Sequence, residues 1–407
     1  MRAVVFTLGC KVNEVESASI MAAIENLGWE VSDKLSYADA YVLNTCAVTR
    51  EAERKSRQLV TRAKKYNPDA KIFVCGCASE KDKQSFEEKG VAYVTGAQKK
   101  QQVVDKFCEV YGGKISSLPA PKQVKCRAFI KIQDGCNNFC SYCIIPYLRG
   151  REKSRLIEDI CGEIAKTRSA EIVLNGINIS SFNDNGKNLS DLILALQNED
   201  ARIRLGSLEC SIISERLLSA LKGLKDFAPQ FHLSLQSGSS KVLKSMNRHY
   251  TREEYIEKCK MIYSYFPDAA ITCDIIAGFA TETEQDFEES LSIIDEVGFA
   301  RVHAFAYSPR EGTNAYKLKD LPPDVKSERL HRLIQKGTES EQNYIKRFLG
   351  STLSFIAEEC KEGFTCGYSG NYIRIYVKGE LEAGKKYDVI LKDLYSDGAI
   401  AQIYGRE

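Results

Sequence analysis

The sequence predicts an α/β protein in three parts: a doubly wound parallel-sheet N-terminal domain, a partial (βα)6 barrel and a small C-terminal antiparallel β-barrel. Three observations predict it. Short apolar runs alternate with helical stretches over residues 1–112, and strands separated by helices pair in parallel. The alternation resumes with a longer repeat over 126–350. From 351 to 407 it gives way to short β runs separated by turns such as Ser369-Gly370-Asn371 and Asp397-Gly398. Between the first two parts, residues 113–125 carry Pro119 and Pro121, lack periodicity and read as a linker.

In the first part, Val4–Leu8 reads as a strand, and Asn13 is placed to cap an amphipathic helix that runs to Leu27 and stops at Gly28. Ala40–Asn44 is the second strand, followed by a basic helix from about Thr49 to Tyr66. Lys71–Val74 is the third strand, Ser79–Lys89 a charged helix and Val91–Val94 a fourth strand. The barrel strands are Phe129–Ile132, Glu171–Asn175, Ile203–Leu205, Phe231–Ser234, Thr272–Ala277 and Ala300–Ala306, with helices such as Leu156–Arg168 and Arg252–Tyr265 between them. Chemistry in such a barrel sits at the strand C-terminal ends. A last helix, about Val325 to Leu349, precedes β runs at Leu353–Ala357, Tyr372–Val377, Tyr387–Leu391 and Ala399–Ile403.

Composition narrows the class. With 43% hydrophobic and 28% charged residues in 407, the chain resembles an ordinary soluble protein, which excludes disorder, collagen and coiled coil as its main character. No run approaches the roughly 18 apolar residues of a membrane span, so the expectation is a cytoplasmic protein without a membrane partner. Fifteen cysteines are the anomaly: the number is odd and no export signal accompanies it. Reduced thiols in that number point to metal or iron–sulfur ligation for some and burial for the rest.

Cys136-Asn137-Asn138-Phe139-Cys140-Ser141-Tyr142-Cys143 is a C-x3-C-x2-C loop directly after the first barrel strand. Three thiolates so close wrap a compact soft-metal centre, and no further Cys or His nearby completes a zinc spacing. Three ligands suit a [4Fe–4S] cluster with one iron left open. A second set follows from topology. Cys10, Cys46 and Cys77 come just after three successive parallel strands, whose C-terminal ends share one sheet edge, so they can converge. Cys75, two residues before Cys77, leaves a choice open, because strand alternation would put both on one face if the strand ran on. Cys108, Cys126, Cys161, Cys210, Cys259, Cys273, Cys360 and Cys366 have no ligand spacing and read as small buried hydrophobes.

The C-x3-C-x2-C loop with an aromatic before its last cysteine resembles the signature of radical S-adenosylmethionine enzymes. The extended run Ile132-Gln133-Asp134-Gly135-Cys136 to Ile145-Pro146-Tyr147-Leu148-Arg149-Gly150-Arg151 is similar to the methylthiotransferases, nearest to their threonylcarbamoyladenosine tRNA branch. Further matches are Thr7–Asn13, Asn44-Thr45-Cys46, Gly76-Cys77, Leu235–Ser239, Met246-Asn247-Arg248 and Tyr307–Thr313, and the tail resembles the family's small RNA-binding β-barrel. The resemblance implies two [4Fe–4S] clusters, held by Cys136, Cys140 and Cys143 and by Cys10, Cys46 and Cys77, and it selects Cys77 over Cys75. It implies that S-adenosylmethionine binds the open iron and yields a 5′-deoxyadenosyl radical. Tyr142 would then lie near the adenine, and the strand-end residues Asn175, Gly176, Asn178, Ser234, Gln236, Asp274 and Gly278 are its other cofactor contacts.

The implied reaction places a methylthio group on carbon 2 of N6-threonylcarbamoyladenosine beside the tRNA anticodon. A C–H bond with no acidity needs a radical to break it, and sulfur comes from the auxiliary cluster in this family. The implied partners are tRNA and a low-potential electron donor of flavodoxin or ferredoxin type. Three other readings stay open: the same chemistry on isopentenyladenosine in tRNA, the same on a ribosomal-protein aspartate, and a non-catalytic iron–sulfur RNA-binding protein. Charge bears on the partner. The whole chain nets only +2, yet residues 113–155 carry +7 and residues 50–65 carry +5, which suits a phosphate backbone. The tail from 351 to 407 nets −2, unlike a strongly RNA-gripping barrel. The sequence departs from the family at Ala280-Thr281 and at Glu209-Cys210-Ser211. The four histidines lie far apart in sequence, and no nucleophile elbow or phosphate loop is present.

Overall fold

The structure is a computed structural model that describes residues 1–121 and 126–405; the end of the expected linker, 122–125, lies outside the described residues. It divides into two compact units. The first comprises Met1–Gln123, Asp134–Glu152 and Ser308–Tyr316; the second comprises Val124–Gln133, Lys153–Tyr307 and Lys317–Glu407. The C-x3-C-x2-C loop therefore belongs to the same unit as Cys10, Cys46 and Cys77.

The first unit is built on β1 (Arg2–Thr7), α1 (Lys11–Asn26), β2 (Glu30–Ser32), β3 (Ala40–Thr45), α2 (Arg50–Tyr66) and β4 (Lys71–Gly76). It continues with α3 (Cys77–Lys81), α4 (Gln84–Glu87), β5 (Tyr93–Val94), α5 (Lys100–Tyr111) and α6 (Ile145–Arg149). The strands form one parallel sheet in the order β2-β1-β3-β4-β5. Apolar side chains leave both of its faces. Val5, Val42 and Phe73 pack with Ile20, Phe107 and Trp29 on one side. Val4, Leu43 and Val74 pack with Leu59, Val60 and Phe86 on the other. That two-sided burial is what a doubly wound sheet requires.

Three details differ from the sequence reading. Cys10, not Asn13, occupies the N-cap of α1. The charged helix over 79–89 is broken in two at Asp82, whose carboxylate accepts the Ser85 N–H and starts α4. Strand β2 is only three residues long, too short to show period-2 patterning.

The second unit opens with β6 (Arg127–Asp134), β7 (Lys153–Ser154), α7 (Ile157–Ile164), β8 (Glu171–Gly176), α8 (Leu189–Ala195), β9 (Arg202–Leu205) and β10 (Ser207–Leu208). Next come α9 (Glu215–Lys222), β11 (Gln230–Leu233), α10 (Ser240–Ser245), α11 (Arg252–Tyr265), β12 (Ala270–Ala277), α12 (Glu284–Val297), β13 (Arg301–Ala306) and α13 (Pro323–Lys346). The expected barrel is present as two sheets, β7-β6-β8-β9 and β10-β11-β12-β13, interrupted at Gly206, with parallel pairing from β6 to β8 to β9 and from β10 to β13. One continuous core of Ile, Leu, Val and Phe fills it. Thr251 and Thr283 start α11 and α12 with reciprocal capping boxes, and α11 spans the Arg252–Tyr265 that the sequence predicts.

The chain ends in a closed barrel of β14 (Thr352–Lys361), β15 (Phe364–Ser369), β16 (Arg374–Lys378), β17 (Lys386–Tyr395) and β18 (Gly398–Ile403), ordered β14-β15-β16-β18-β17. It is antiparallel except for the β16–β18 pair, which closes it in parallel. The sequence reading missed β15, where Gly367 and Ser369 dilute the apolar pattern. No helix among the described residues is long and apolar enough to cross a membrane.

Candidate functional site

Strands β1, β3 and β4 are neighbours and run parallel, so the residues after them meet at one edge. Cys10 precedes α1, Cys46 follows β3 and Cys77 is the first residue of α3. Two glycines allow the close approach. At Gly9, with φ of +122°, an added Cβ would lie 3.2 Å from Cys46 Cβ; at Gly76, with φ of +112°, it would lie 2.3 Å from the Thr45 carbonyl oxygen. The Asn13 side-chain amide donates to the carbonyls of Leu8 (2.8 Å) and Thr45 (3.2 Å), tying together the segments that carry Cys10 and Cys46. Cys46 and Cys77 are buried and Cys10 is exposed.

Burial pushes the Cys46 thiol up to about 11, and the neighbouring Cys77 and Cys10 thiols add to the rise. Burial also raises Cys77, against the positive charge of the nearby Arg149 guanidinium, which lowers it. Cys75 faces the other way. It lies on the α1/α5 side of the sheet with Val42 and Phe73, where Lys100 Nζ donates to its sulfur at 3.6 Å. Cys77, on the opposite face, is the one in electrostatic range of both Cys10 and Cys46.

The second set of thiols is folded by a loop. The Cys136 N–H donates to the Gly150 carbonyl (3.2 Å), and the Cys143 N–H donates to the Cys140 carbonyl (2.9 Å). Phe139 takes a left-handed φ of 46°, uncommon for a side chain of its size. Its ring sits edge-on to Tyr147, with the Arg151 guanidinium 4.8 Å over it. The Asn138 N–H donates to Cys136 Sγ at 3.5 Å, the kind of bond that stabilises a thiolate ligand. The Ser141 carbonyl accepts from Ala315 N–H at 2.7 Å, which holds the loop beside residues 308–316. Among the described residues, no three His, Cys, Asp or Glu side chains close tightly enough to hold a single ion. Sets of three spaced thiols suit a larger polynuclear centre instead.

Sequence reasoning gave no role to the buried group beside the sheet-edge thiols. Arg149 has 0% exposure, bonds Glu16 (3.0 Å) and Asp134 (3.0 Å), and donates to Asn13 Oδ1 (2.5 Å). Glu16, Cys77 and Asp134 outweigh the cost of burial and hold it firmly protonated. Lys100 joins the same group through Glu16 (3.4 Å) and Asn44 Oδ1 (2.6 Å). Arg149 stood in the quoted motif, so its presence was legible and its partners were not.

In the second unit, the expected cofactor contacts fall at or near the C-terminal ends of β8, β11 and β12. Asn175 is the penultimate residue of β8; its Oδ1 accepts the Gly176 N–H at 3.0 Å, and its buried Nδ2 has no partner among the described residues. Asn178 caps a short 3-10 turn, Ile179–Ser181, and donates its N–H to Gln133 Oε1 at 2.8 Å. The Ser234 carbonyl accepts from Tyr250 Oη at 2.6 Å. Gln236, with φ of 74°, donates its N–H to the Asp274 carbonyl at 2.7 Å. Gly278 donates to Glu282 Oε2 (2.8 Å), which also accepts from Arg329 (2.8 Å). Asp274 lies within β12, with its carboxylate 3.3 Å from His232 Nε2. The histidines are less scattered than their spacing implies, since the His232 and His303 rings are 5.6 Å apart. Burial and His232 lower the His303 pKa.

Residues 2–96 match the model described as uncharacterized protein family UPF0004, and residues 130–294 match the radical SAM superfamily. The chain is 34% identical over 92% of its length to the threonylcarbamoyladenosine tRNA methylthiotransferase MtaB of Bacillus subtilis (strain 168), covering 89% of that protein. It is 36% identical over 97% of its length to the Chlamydia pneumoniae protein of the same name, covering 96% of it. The chain belongs to the radical SAM methylthiotransferase family. It is therefore a radical SAM enzyme that works with S-adenosylmethionine and [4Fe–4S] clusters, and it carries two such clusters. A tRNA-2-methylthio-N(6)-dimethylallyladenosine synthase of Geobacillus thermodenitrificans (strain NG80-2) is also 36% identical, over 86% of this chain and 73% of that one. Among solved structures, the radical S-adenosylmethionine methyltransferase TsrM from Kitasatospora setae matches with a TM-score of 0.55 at 12% identity, over 76% of each chain. That likeness concerns the fold alone.

The residues present fit the cofactors of this family. Raised thiols crowded at a sheet edge are what a ligand set looks like before a metal deprotonates it. The unpartnered Asn175 amide, buried at a strand end, is a donor in want of an acceptor.

Proposed function

We propose that this enzyme transfers a methylthio group to carbon 2 of N6-threonylcarbamoyladenosine in tRNA. The observation that carries the reading is the presence of two three-thiol sets in one compact unit, one at the end of three parallel strands and one in the C-x3-C-x2-C loop. We assign Cys10, Cys46 and Cys77 to the auxiliary cluster and Cys136, Cys140 and Cys143 to the cluster with the open iron. When bound, these clusters and S-adenosylmethionine supply the radical, the sulfur and the methyl group.

The chain's own residues hold and tune. Asn13, Gly9 and Gly76 fix the spacing of the first set, and Arg149 places a permanent positive charge beside Cys77. The Asn138 N–H steadies Cys136. Tyr142, Asn175, Gly176, Asn178, Ser234, Gln236, Asp274 and Gly278 are assigned to S-adenosylmethionine, with Asn175 Nδ2 the donor still to be satisfied. For Asp274 the assignment requires it to share its carboxylate with His232.

Coverage supports the threonylcarbamoyl substrate over the isopentenyl one. The four relatives named for the former are matched over 92–97% of this chain and 89–98% of their own lengths. Those named for the latter are spanned over 72–81% of theirs. A low-potential flavodoxin- or ferredoxin-type donor and a cytoplasmic setting complete the proposal. The test is mass spectrometry of tRNA nucleosides from cells with the protein, without it, and with Cys140→Ala. The expected result is 2-methylthio-N6-threonylcarbamoyladenosine only with the intact protein. The isopentenyl counterpart in its place would overturn the substrate, and no change in either nucleoside would overturn the tRNA reading.

A further inference from the structure

Within the first unit, outside both thiol sets, lies a cavity of about 340 Å³ lined by Arg50, Arg54, Arg57, Lys81 and Arg310, with Glu53 and Glu311 as its carboxylates and Tyr316 at its rim. We propose that this cavity is a phosphate subsite that takes one backbone phosphate of the RNA substrate. The proposal rests on the tRNA reading above and names a contact that neither thiol set provides.

Five cations face two carboxylates, and the pairing inside the cavity is lopsided. Glu53 alone serves Arg57 (3.0 Å), Lys81 (3.2 Å) and Arg310 (2.5 Å). Burial would raise its carboxyl, but Arg310 and Lys81 hold it below the ordinary range, so its oxygens are already taken up by these cations. Arg54 pairs outward with Glu51 at 2.6 Å, and Arg50 has no ion pair among the described residues. Arg310 is 2% exposed, and its Nε has no hydrogen-bond partner among the described residues. A buried guanidinium with an unused donor is costly unless an acceptor arrives.

The chemistry selects phosphate. Guanidinium forks match the paired oxygens of a phosphate, and several of them converge here. Arg50 opens α2, whose first-turn N–H groups and dipole add to the positive potential on that side. Thr49 Oγ1 already accepts from Ala52 N–H, so the helix end is capped and the side chains supply the recognition. Tyr316 is 44% exposed and offers a ring face to a neighbouring base.

The test uses the full-length protein with its clusters and a fluorescent tRNA anticodon stem-loop, with affinity measured across a salt series. Arg50→Gln with Arg54→Gln removes two exposed cations and leaves the Glu53 group intact. The expected result is about tenfold weaker binding and a salt slope reduced by about one to two, with the melting temperature unchanged. Lys64→Gln with Lys65→Gln removes the same charge from the far end of α2 and should change affinity by no more than about twofold. Equal losses in both pairs would reduce the cavity to part of a diffuse field and overturn the proposal. Inorganic phosphate that stabilises the wild type but not the first variant, with RNA affinity unchanged, would reassign the cavity to a free phosphate. A wild type that binds no stem-loop would overturn the tRNA reading itself.

Discussion

The two cysteine sets are made in opposite ways. Cys136, Cys140 and Cys143 are contiguous, and a single loop, turned by Phe139 in a left-handed conformation, folds them together. Cys10, Cys46 and Cys77 are separated by 36 and 31 residues and meet only because β1, β3 and β4 are adjacent and parallel. The first set can form wherever its loop can turn. The second depends on the whole sheet, on Gly9 and Gly76, and on the buried Arg149 group. The difference teaches that one centre is written in spacing and the other in topology.

The largest effect that would break this comparison is chemical. Cys77→Ala should abolish the methylthio product while S-adenosylmethionine cleavage persists, whereas Cys140→Ala should abolish both. Assays of 5′-deoxyadenosine and modified nucleoside on the reconstituted variants would check this, and loss of cleavage in Cys77→Ala would break the division of labour.

Arg149→Met comes next. It leaves Glu16 buried with one cation fewer, and removing one partner of a buried pair costs about 3–5 kcal/mol. Denaturant unfolding should show that loss, and the auxiliary centre should lose iron before the loop centre does.

A pH effect separates the thiol-bearing unit from the strand ends of the other. Burial raises the Glu282 carboxyl to about 7, despite the Gly278 N–H and Arg329 that favour its charge. Its folded pKa lies above the unfolded value of about 4.3, so the folded state binds more protons between the two. Stability from this group is complete below about pH 4.3 and is lost as pH rises through 7, by up to about 3 kcal/mol. Thermal melts of Glu282→Gln from pH 5 to 8 should show a flatter profile than the wild type. An equally steep profile would remove Glu282 as the cause.

The smallest effect sharpens the choice between neighbours. Cys75→Ala empties a small buried site on the α1/α5 face and should cost roughly 1 kcal/mol with iron content unchanged. Loss of iron in that variant would bring Cys75 into the ligand set.

What was legible in the sequence follows the same division. The capped helix α11 lies at the residues the sequence predicts, and the six long barrel strands lie within about two residues of theirs, whereas the equally capped α8 and α12 have no counterpart in the sequence reading. Short elements escaped: β2, β10 and β15 carry too few residues or too many small ones to show a period. Cys75 and Cys77 could not be separated by alternation, because β4 ends at Gly76 and the chain turns into α3, which sends the two side chains to opposite faces. Buried polar groups were the least legible. Arg149 with Glu16, Lys100 with Asn44, and His232 with His303 join residues far apart in the chain, and composition does not announce such pairings. Of the cysteines without ligand spacing, Cys108, Cys210, Cys259, Cys273 and Cys366 are buried as small hydrophobes, while Cys126 and Cys161 are half-buried and Cys360 is exposed.

The most direct measurement is the iron content and Mössbauer spectrum of two anaerobically reconstituted triple variants, one with Cys10, Cys46 and Cys77 replaced by Ala and one with Cys136, Cys140 and Cys143 replaced. The account predicts that each retains half the iron of the wild type as a single [4Fe–4S] cluster, and that only the first changes its spectrum on addition of S-adenosylmethionine. Full iron in either variant, or no iron in both, would contradict two independently held clusters.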